Sequence, residues 1–456
     1  MGGKIFQQGA NAISTPRMPR AVYLHMHQHV HSILDGLRDN LLVEDHKTPV
    51  SAPEKTKFGD VDVLVLKTAA LEDMKMGKPD FRPFLLKLEK VFGAVRKSRS
   101  TDEYSASYAL PWPEQYKVPE LPAEEQAKLP VTLQGLSLEP KFHYVQVDIK
   151  VIHSRTLFDY TYMVDSHANP FTFLGASLSD VGLSAGPRGL RLRVQEIRDA
   201  APVHHKKDNK DDKELQRQGP QKKNTTIDLT CNAKEVCEVV GLDYDTLMKP
   251  DAFTTYIDYF DTLANSKYFS LKAAEYEVSQ NFSESKSAIR KKLEREPYRQ
   301  WVQEYLPHAI NQEEFKHEIP TIDEVKEQMF KRFPHAEAAY NFKLKQFLDK
   351  KNDDNMRRII RDTLGEAGIK DVDNYLCRFA EAGFKHIWLS GNNGYELVEQ
   401  SQSDKENPYK LKGLPHLTGK DEIDEPAIAR YVRENWQLVG NWEMWVASTY
   451  VESSFF

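Results

Sequence analysis

Gly59-Asp60-Val61-Asp62-Val63-Leu64-Val65 is the stretch on which the reading of this chain turns. The β-branched and aliphatic residues at 61 and 63 to 65 favour a short, buried strand. Side chains on a strand alternate between its faces, so Asp60 and Asp62 project from the same face at one end of it. Two adjacent carboxylates repel each other and are costly to bury. The usual offset is a hard cation such as Mg²⁺ or Mn²⁺, which takes oxygen ligands.

Downstream, His143 to Ile152 predicts a second strand. There Val145, Val147, Ile149 and Val151 alternate with Gln146, Asp148 and Lys150, which puts the polar trio on one face and the apolar set on the other. Asp148 can therefore be a third carboxylate beside the first two. Three carboxylates on one sheet edge can hold two metal ions about 3.5 to 4 Å apart, enough to stabilise both the attacking and the leaving oxygen of an in-line phosphoryl displacement. Asp148 is the best placed of them to take the proton of an acceptor hydroxyl. Alone, Asp-x-Asp also fits a strand end that meets solvent or caps a turn; a carboxylate on a second strand tips the reading toward chemistry. Upstream, Ser51 and Lys55 lie in a Pro/Lys/Thr-containing turn that ends at Gly59. A hydroxyl, backbone N–H groups and a point charge in such a turn can bind a terminal phosphate, although an ordinary polar loop reads the same way.

The flanks are read by periodicity. Val22, Met26, Val30, Ile33, Leu34 and Leu37 predict a helix over 18–42, and Phe84, Leu85, Leu88, Val91 and Phe92 one over 81–95. Five prolines between 111 and 130 predict an irregular excursion, and Phe171 to Val181 a helix. Residues 202–224 are charged and nearly free of large apolar side chains, as in a disordered insertion, and their Lys pairs are offset by Asp208, Asp211 and Asp212. From 227 onward the pattern is mainly helical, with aromatic stripes at Tyr256, Tyr259 and Phe260 and at Tyr375 and Phe379 that read as helix core. The expected organisation is a core over 1–195, the charged linker over 202–224 and a helical domain over 227–456 that walls a cleft. His25, His27, His29 and His31 alternate, and pairs four apart share a helix face with metal-binding spacing. They flank an apolar stripe with no supporting carboxylate or Cys spacing, so they read as surface and boundary histidines.

With 456 residues the chain has room for two or three domains. Its 40% apolar and 29% charged composition is that of a globular protein. No apolar run approaches the ~20 residues of a membrane span, the start lacks a signal-peptide stretch, and Phe6 stands where a myristoylation motif wants Ser or Thr. A cytoplasmic or nuclear protein with no membrane partner is expected. Cys231, Cys237 and Cys377 have neither metal-ligand nor disulfide spacing. A net charge of −6 gives no global electrostatic argument for a long nucleic acid.

Val50-Ser51, Gly59-Asp60-Val61-Asp62 and Val147-Asp148-Ile149, in that order, resemble the DNA polymerase beta-type nucleotidyltransferase superfamily, whose pattern is Gly-Ser, a spacer, Asp-x-Asp and a later lone Asp between apolar residues. Over roughly residues 1–195, together with Gly2-Gly3-Lys4-Ile5-Phe6, the chain is similar to nucleotidyltransferase-like proteins of phages and fungi. Val50 stands where that pattern has Gly, which puts a Cβ where backbone would approach phosphate. The resemblance implies an α/β (α+β) nucleotidyltransferase core with a mixed sheet, followed by a mainly α-helical C-terminal domain. It also implies transfer of NMP from an NTP such as ATP to an acceptor hydroxyl (an RNA 3′ end, a small molecule or a protein), with pyrophosphate released. Asp60, Asp62 and Asp148 would be the catalytic and Mg²⁺ (or Mn²⁺) ligands, and Ser51, Lys55 and Gly59 the nucleotide-binding residues. The alternative is a catalytically inactive scaffold of the same fold.

Overall fold

A computed structural model describes residues 5–8, 11–38, 43–67, 74–75, 78–98, 104–121, 123–127, 129–200, 225–281, 292–312, 315, 318–366 and 425–453. The 202–224 stretch, the lysine pairs within it, the Tyr375/Phe379 stripe and Cys377 lie outside the described residues. Helix α1 (Arg20–Asp35) is followed by strands β1 (Val43–Lys47) and β2 (Val61–Lys67), helix α2 (Arg82–Val91), strands β3 (Arg96–Lys97), β4 (Ser105–Pro111) and β5 (Tyr144–Ile152), and helix α3 (Arg155–Asp165). The five strands form one sheet in the order β1-β2-β5-β4-β3. Only the β2/β5 pair is parallel, which makes the sheet mixed as expected.

Alternation sorts this sheet's faces. Val61, Val63 and Val65 of β2 and Val145, Val147, Ile149 and Val151 of β5 are buried in one cluster with Val22, Met26, Val30 and Leu34 of α1 and Phe84, Leu85 and Leu88 of α2. Each such side chain contributes about 1.5 to 3 kcal/mol when fully buried, so this face sets the register of the strands. The opposite face is covered at one end only, where Phe158 of α3 packs on Leu64, Leu66 and Ile152. Asp62 and Asp148 lie on that face beyond the covered end.

Two helices are shorter than their periodicity suggests. The segment expected over 18–42 stops at Asp35, where Gly36 follows. The one expected over 81–95 stops at Val91, because Gly93 takes φ +60 and its N–H bonds back to Lys90 O, the left-handed way to end a helix. The helix expected over 171–181 is two short pieces, Pro170–Phe173 and Gly175–Asp180. A second, antiparallel sheet follows (β6 Leu183–Gly186, β7 Gly189–Arg193, β8 Thr226–Thr230). Mostly helices come after it, among them α4 (Tyr256–Ala264), which buries Tyr256, Tyr259, Phe260 and Leu263 as its stripe predicts.

The chain divides into two compact units, 1–339 and 340–456. Within the second, Arg358 holds Glu425 through two bonds of 3.2 and 3.1 Å, and Ile359, Ile360, Ile428 and Val432 are buried. Among the described residues no helix is long and apolar enough to cross a membrane.

Candidate metal centre

The parallel register of β2 and β5 sets Asp62 directly opposite Asp148, and Asp60 lies one step before β2 on the side facing them. One carboxylate oxygen from each of the three lies within 4.8 Å of the other two. Among the described residues this is the group of three or more possible ligands gathered so closely. Asp60 and Asp148 are half-buried, while Asp62 is exposed.

Crowding has electrostatic consequences. Burial, then Asp60 and Asp148, push the Asp62 carboxyl up to about 7, with Lys55 opposing them. Asp148 is pushed up to about 6, first by burial and then by Asp60, against hydrogen bonds from Ser107 and Gln146 that favour its charged form. Ser107 is the cross-strand neighbour of Asp148 on β4. Gln146 Nε2 donates to both Asp148 oxygens at 3.0 Å, and its own Oε1 accepts the Ile5 N–H at 3.4 Å. Gln146→Leu is therefore expected to move the Asp148 carboxyl further up while leaving the strand intact. Carboxyl-resolved NMR titration checks this, and an unchanged titration midpoint would count against the role given to Gln146.

The turn before β2 gathers around Tyr23. Its ring stacks on Phe58 at 3.9 Å between centroids, and its hydroxyl shares a hydrogen bond with Ser51 while sensing Asp60 and Asp62. Lys55 Nζ lies 4.8 Å above the Phe58 ring, and burial lowers its pKa against the pull of Asp60 and Asp62. Gly59 is buried at the turn into β2. Val50, at the first position of the motif, has its backbone already engaged: its N–H donates to Ser166 Oγ at 3.0 Å and its carbonyl accepts from the His167 N–H at 2.8 Å. That backbone tie, more than the Cβ, occupies the amide that a glycine at this position would offer.

A cleft of about 700 Å³ opens over the centre, with Asp62, Asp148, Lys150, Asp165, Asn169 and Arg295 among the residues that line it. Lys150 Nζ pairs with Asp165 Oδ2 at 3.7 Å. The wall beyond α3 is strained: His167, Ala168 and Asn169 take φ of 49, 65 and 69° in succession. Left-handed backbone costs about 1 to 2 kcal/mol at a non-glycine residue, so the surroundings must enforce it. His167 Nε2 does so by bonding Leu247 O at 2.9 Å, and Asn169 Oδ1 accepts the Phe171 N–H at 3.0 Å. Glu54, itself at φ 57, caps the N-terminus of α4 by accepting the Tyr256 N–H at 3.1 Å. The turn holding Ser51 and Lys55 is thus tied at both ends to the helices that follow the sheet.

The three carboxylates lie together; Lys55 is near enough to feel Asp60 and Asp62, and Ser51 reaches them through the Tyr23 hydroxyl, while the cleft lining includes Asp62 and Asp148 but neither Ser51 nor Lys55. Gln146, Ser107, Lys150, Asp165 and Asn169 were not anticipated as neighbours of the centre. Gln146 and Lys150 carried a signal, being two residues either side of Asp148 on its own strand face. Ser107 needed the β4/β5 register, and Asp165 and Asn169 needed the path of the chain beyond α3.

No family model and no curated protein matches this chain. Among solved structures it is similar to the ternary gap complex of Leishmania infantum polymerase beta, at 12% identity and a TM-score of 0.30, over 52% of this chain and 71% of that one. It is also similar to the ternary P/T complex of the same polymerase, at 14% identity and a TM-score of 0.29, over 52% and 76% of the two chains.

Proposed function

We propose that the chain transfers a nucleoside monophosphate from an NTP to an acceptor hydroxyl and releases pyrophosphate, with Asp60, Asp62 and Asp148 as the metal-holding and catalytic residues. The observation that carries this reading is the convergence of the three carboxylates, with Asp62 and Asp148 on two paired strands lining the cleft and Asp60 beside them. The donor set fits the ion: three carboxylates are hard oxygen ligands, and charges this crowded favour a divalent cation. Mg²⁺ or Mn²⁺ held there would neutralise triphosphate charge and acidify the acceptor hydroxyl.

The chain's own residues supply the rest. Asp148, its lone pairs aimed by Gln146 and Ser107, takes the proton as the acceptor oxygen bonds to the α-phosphorus; the bond from that phosphorus to the bridging oxygen breaks, and pyrophosphate departs. Ser51 and Lys55 contact the departing phosphates, and buried Gly59 lets the turn pass close to them. In this reading residues 1–195 carry the chemistry, and helices after residue 227 supply part of the cleft wall, represented by Arg295. The acceptor is an RNA 3′ end, a small molecule or a protein hydroxyl.

The test is a titration of labelled NTPs with Mg²⁺ or Mn²⁺, measuring binding and pyrophosphate release against those three acceptor classes. Saturable binding with metal-dependent release supports the reading; neither binding nor release with any acceptor overturns it. Ser51→Ala and Lys55→Met are each expected to raise the KM for NTP by about 10- to 150-fold with a smaller change in kcat, since a hydrogen bond to a charged group contributes about 1.5 to 3 kcal/mol.

A further inference from the structure

Away from the cleft, the last turns of α1 meet strand β1 in a group of imidazoles of which sequence spacing connects only the two on the helix. His27 and His31, four apart on α1, have ring centroids 4.3 Å apart, and the His31 ring lies 4.7 Å from that of His46 on β1. The Nδ1 atoms of His31 and His46 approach to 2.8 Å. The outer nitrogens are also engaged: His46 Nε2 bonds Asp35 Oδ1 at 3.1 Å, and His31 Nε2 bonds Thr48 Oγ1 at 2.8 Å. His46 is buried, and His27 and His31 are half-buried.

Two facing Nδ1 atoms at 2.8 Å must share a single proton, since two N–H groups or two lone pairs would repel. When His31 carries that proton on Nδ1, its Nε2 accepts from the Thr48 hydroxyl, and His46 donates from Nε2 to Asp35. Moving the His31 proton from Nδ1 to Nε2 leaves both outer bonds in place, with His31 now donating to Thr48. It also turns two neutral lone pairs toward one point. That is the arrangement of metal-bound histidine, in which the ring nitrogen away from the ion donates to a carboxylate or another oxygen and so fixes tautomer and orientation.

We propose that His31 Nδ1, His46 Nδ1 and a ring nitrogen of His27 form a binding site for a transition metal of the Zn²⁺ class, with Asp35 and Thr48 as the outer partners that orient the rings. Neutral imidazoles are the ligands such ions select. Burial and the neighbouring rings hold His27 and His31 below the usual imidazole range, His31 down to about 4, so neither ring need lose a proton to bind at neutral pH. The three rings do not yet bring one nitrogen each within 4.8 Å of the other two, so the ligand set closes only when His27 reorients. Tetrahedral geometry with bonds of about 2.0 to 2.1 Å separates ligand nitrogens by about 3.3 Å, so the Nδ1 pair opens slightly as the ion replaces the shared proton and His27 turns toward it. Solvent completes the coordination. The site is separate in elements and chemistry from the carboxylate centre, and stands or falls apart from the proposed transfer reaction.

Co²⁺ reports on it, because nitrogen-rich tetrahedral Co²⁺ absorbs visible light far more strongly than Co²⁺ among oxygen ligands. The full chain is titrated with Co²⁺ in excess Mg²⁺, then with Zn²⁺ in competition. One equivalent with intense visible bands, displaced by Zn²⁺, is the expected result. His31→Gln and His46→Gln should each weaken binding at least ~10-fold, whereas Asp62→Asn should leave the bands unchanged. His27→Ala guards against misfolding, because His27 is half-exposed; it should keep the thermal unfolding profile of the metal-free protein and still lose affinity. The proposal is overturned by absence of the bands, by bands that survive the histidine variants, or by bands that vanish with Asp62→Asn.

Discussion

Asp148→Ala is expected to lower kcat for pyrophosphate release by about 10³-fold or more, because it removes a metal ligand and the proton acceptor together, and general-base catalysis alone contributes about 10² to 10⁴. Asp148→Asn separates that loss from a folding defect. It keeps the shape and an oxygen for Gln146 and Ser107 to donate to, but gives up the charge. Both variants should hold the circular dichroism spectrum of the wild type, since Asp148 lies on the sheet face away from the large apolar cluster. Steady-state kinetics against the preferred acceptor is the check. Rates within tenfold of wild type for both variants would show that the proton leaves by another route and that the site is misassigned.

The second large effect joins pH to metal. Unfolded aspartates titrate near 3.9, whereas in the folded chain Asp62 stands at about 7 and Asp148 at about 6. Between those values the folded state binds more protons than the unfolded one, so stability falls as pH rises. The contribution of these two groups is fully present below about pH 4 and is lost as pH climbs through about 6 to 7. Divalent cation reverses the trend, because it binds the deprotonated site and only the folded chain offers one. Without metal, Asp62→Asn and Asp148→Asn should gain thermal stability over wild type at pH 8 and lose that advantage at pH 5. With saturating Mg²⁺ the upward shift of wild-type Tm should grow steadily from pH 5 to pH 8. An equal Mg²⁺ shift at both ends of that range would remove the carboxylates from the explanation.

Much of this centre was legible in the sequence because strand periodicity is short and strict. Asp60 and Asp62 declare a shared face from their spacing, and the alternation from Val145 to Val151 assigns Asp148 a face before any partner strand is known. That these faces are one face depends on pairing, and pairing is fixed by non-local burial: the valines of β2 and β5 against α1 and α2. The histidines show the same limit. His27 and His31 advertise a helix face, but nothing local announces that β1 turns back to set His46 against them, so the sequence favours the bland reading. Helix lengths were overestimated where the expected span ran past a glycine, at Gly36 and Gly93. The left-handed run at His167 to Asn169 has only a weak sequence signature: histidine and asparagine are enriched at positive φ, but alanine is not, and the bonds to Val50 O and Leu247 O help hold the run in place.

The parallel pairing of β2 with β5 runs without a bulge from Val61 opposite Val147 to Leu66 opposite Ile152. A single residue inserted in either strand would rotate everything beyond it by half a turn, sending one aspartate into the hydrocarbon interior and bringing a valine out in its place. The stretch between β4 and β5, by contrast, can lengthen or shrink with less effect on the carboxylates, because closing a longer loop costs only about 0.6 kcal/mol per doubling. Variation among related chains should therefore appear as length changes between residues 113 and 142, while β2, β4 and β5 stay free of gaps.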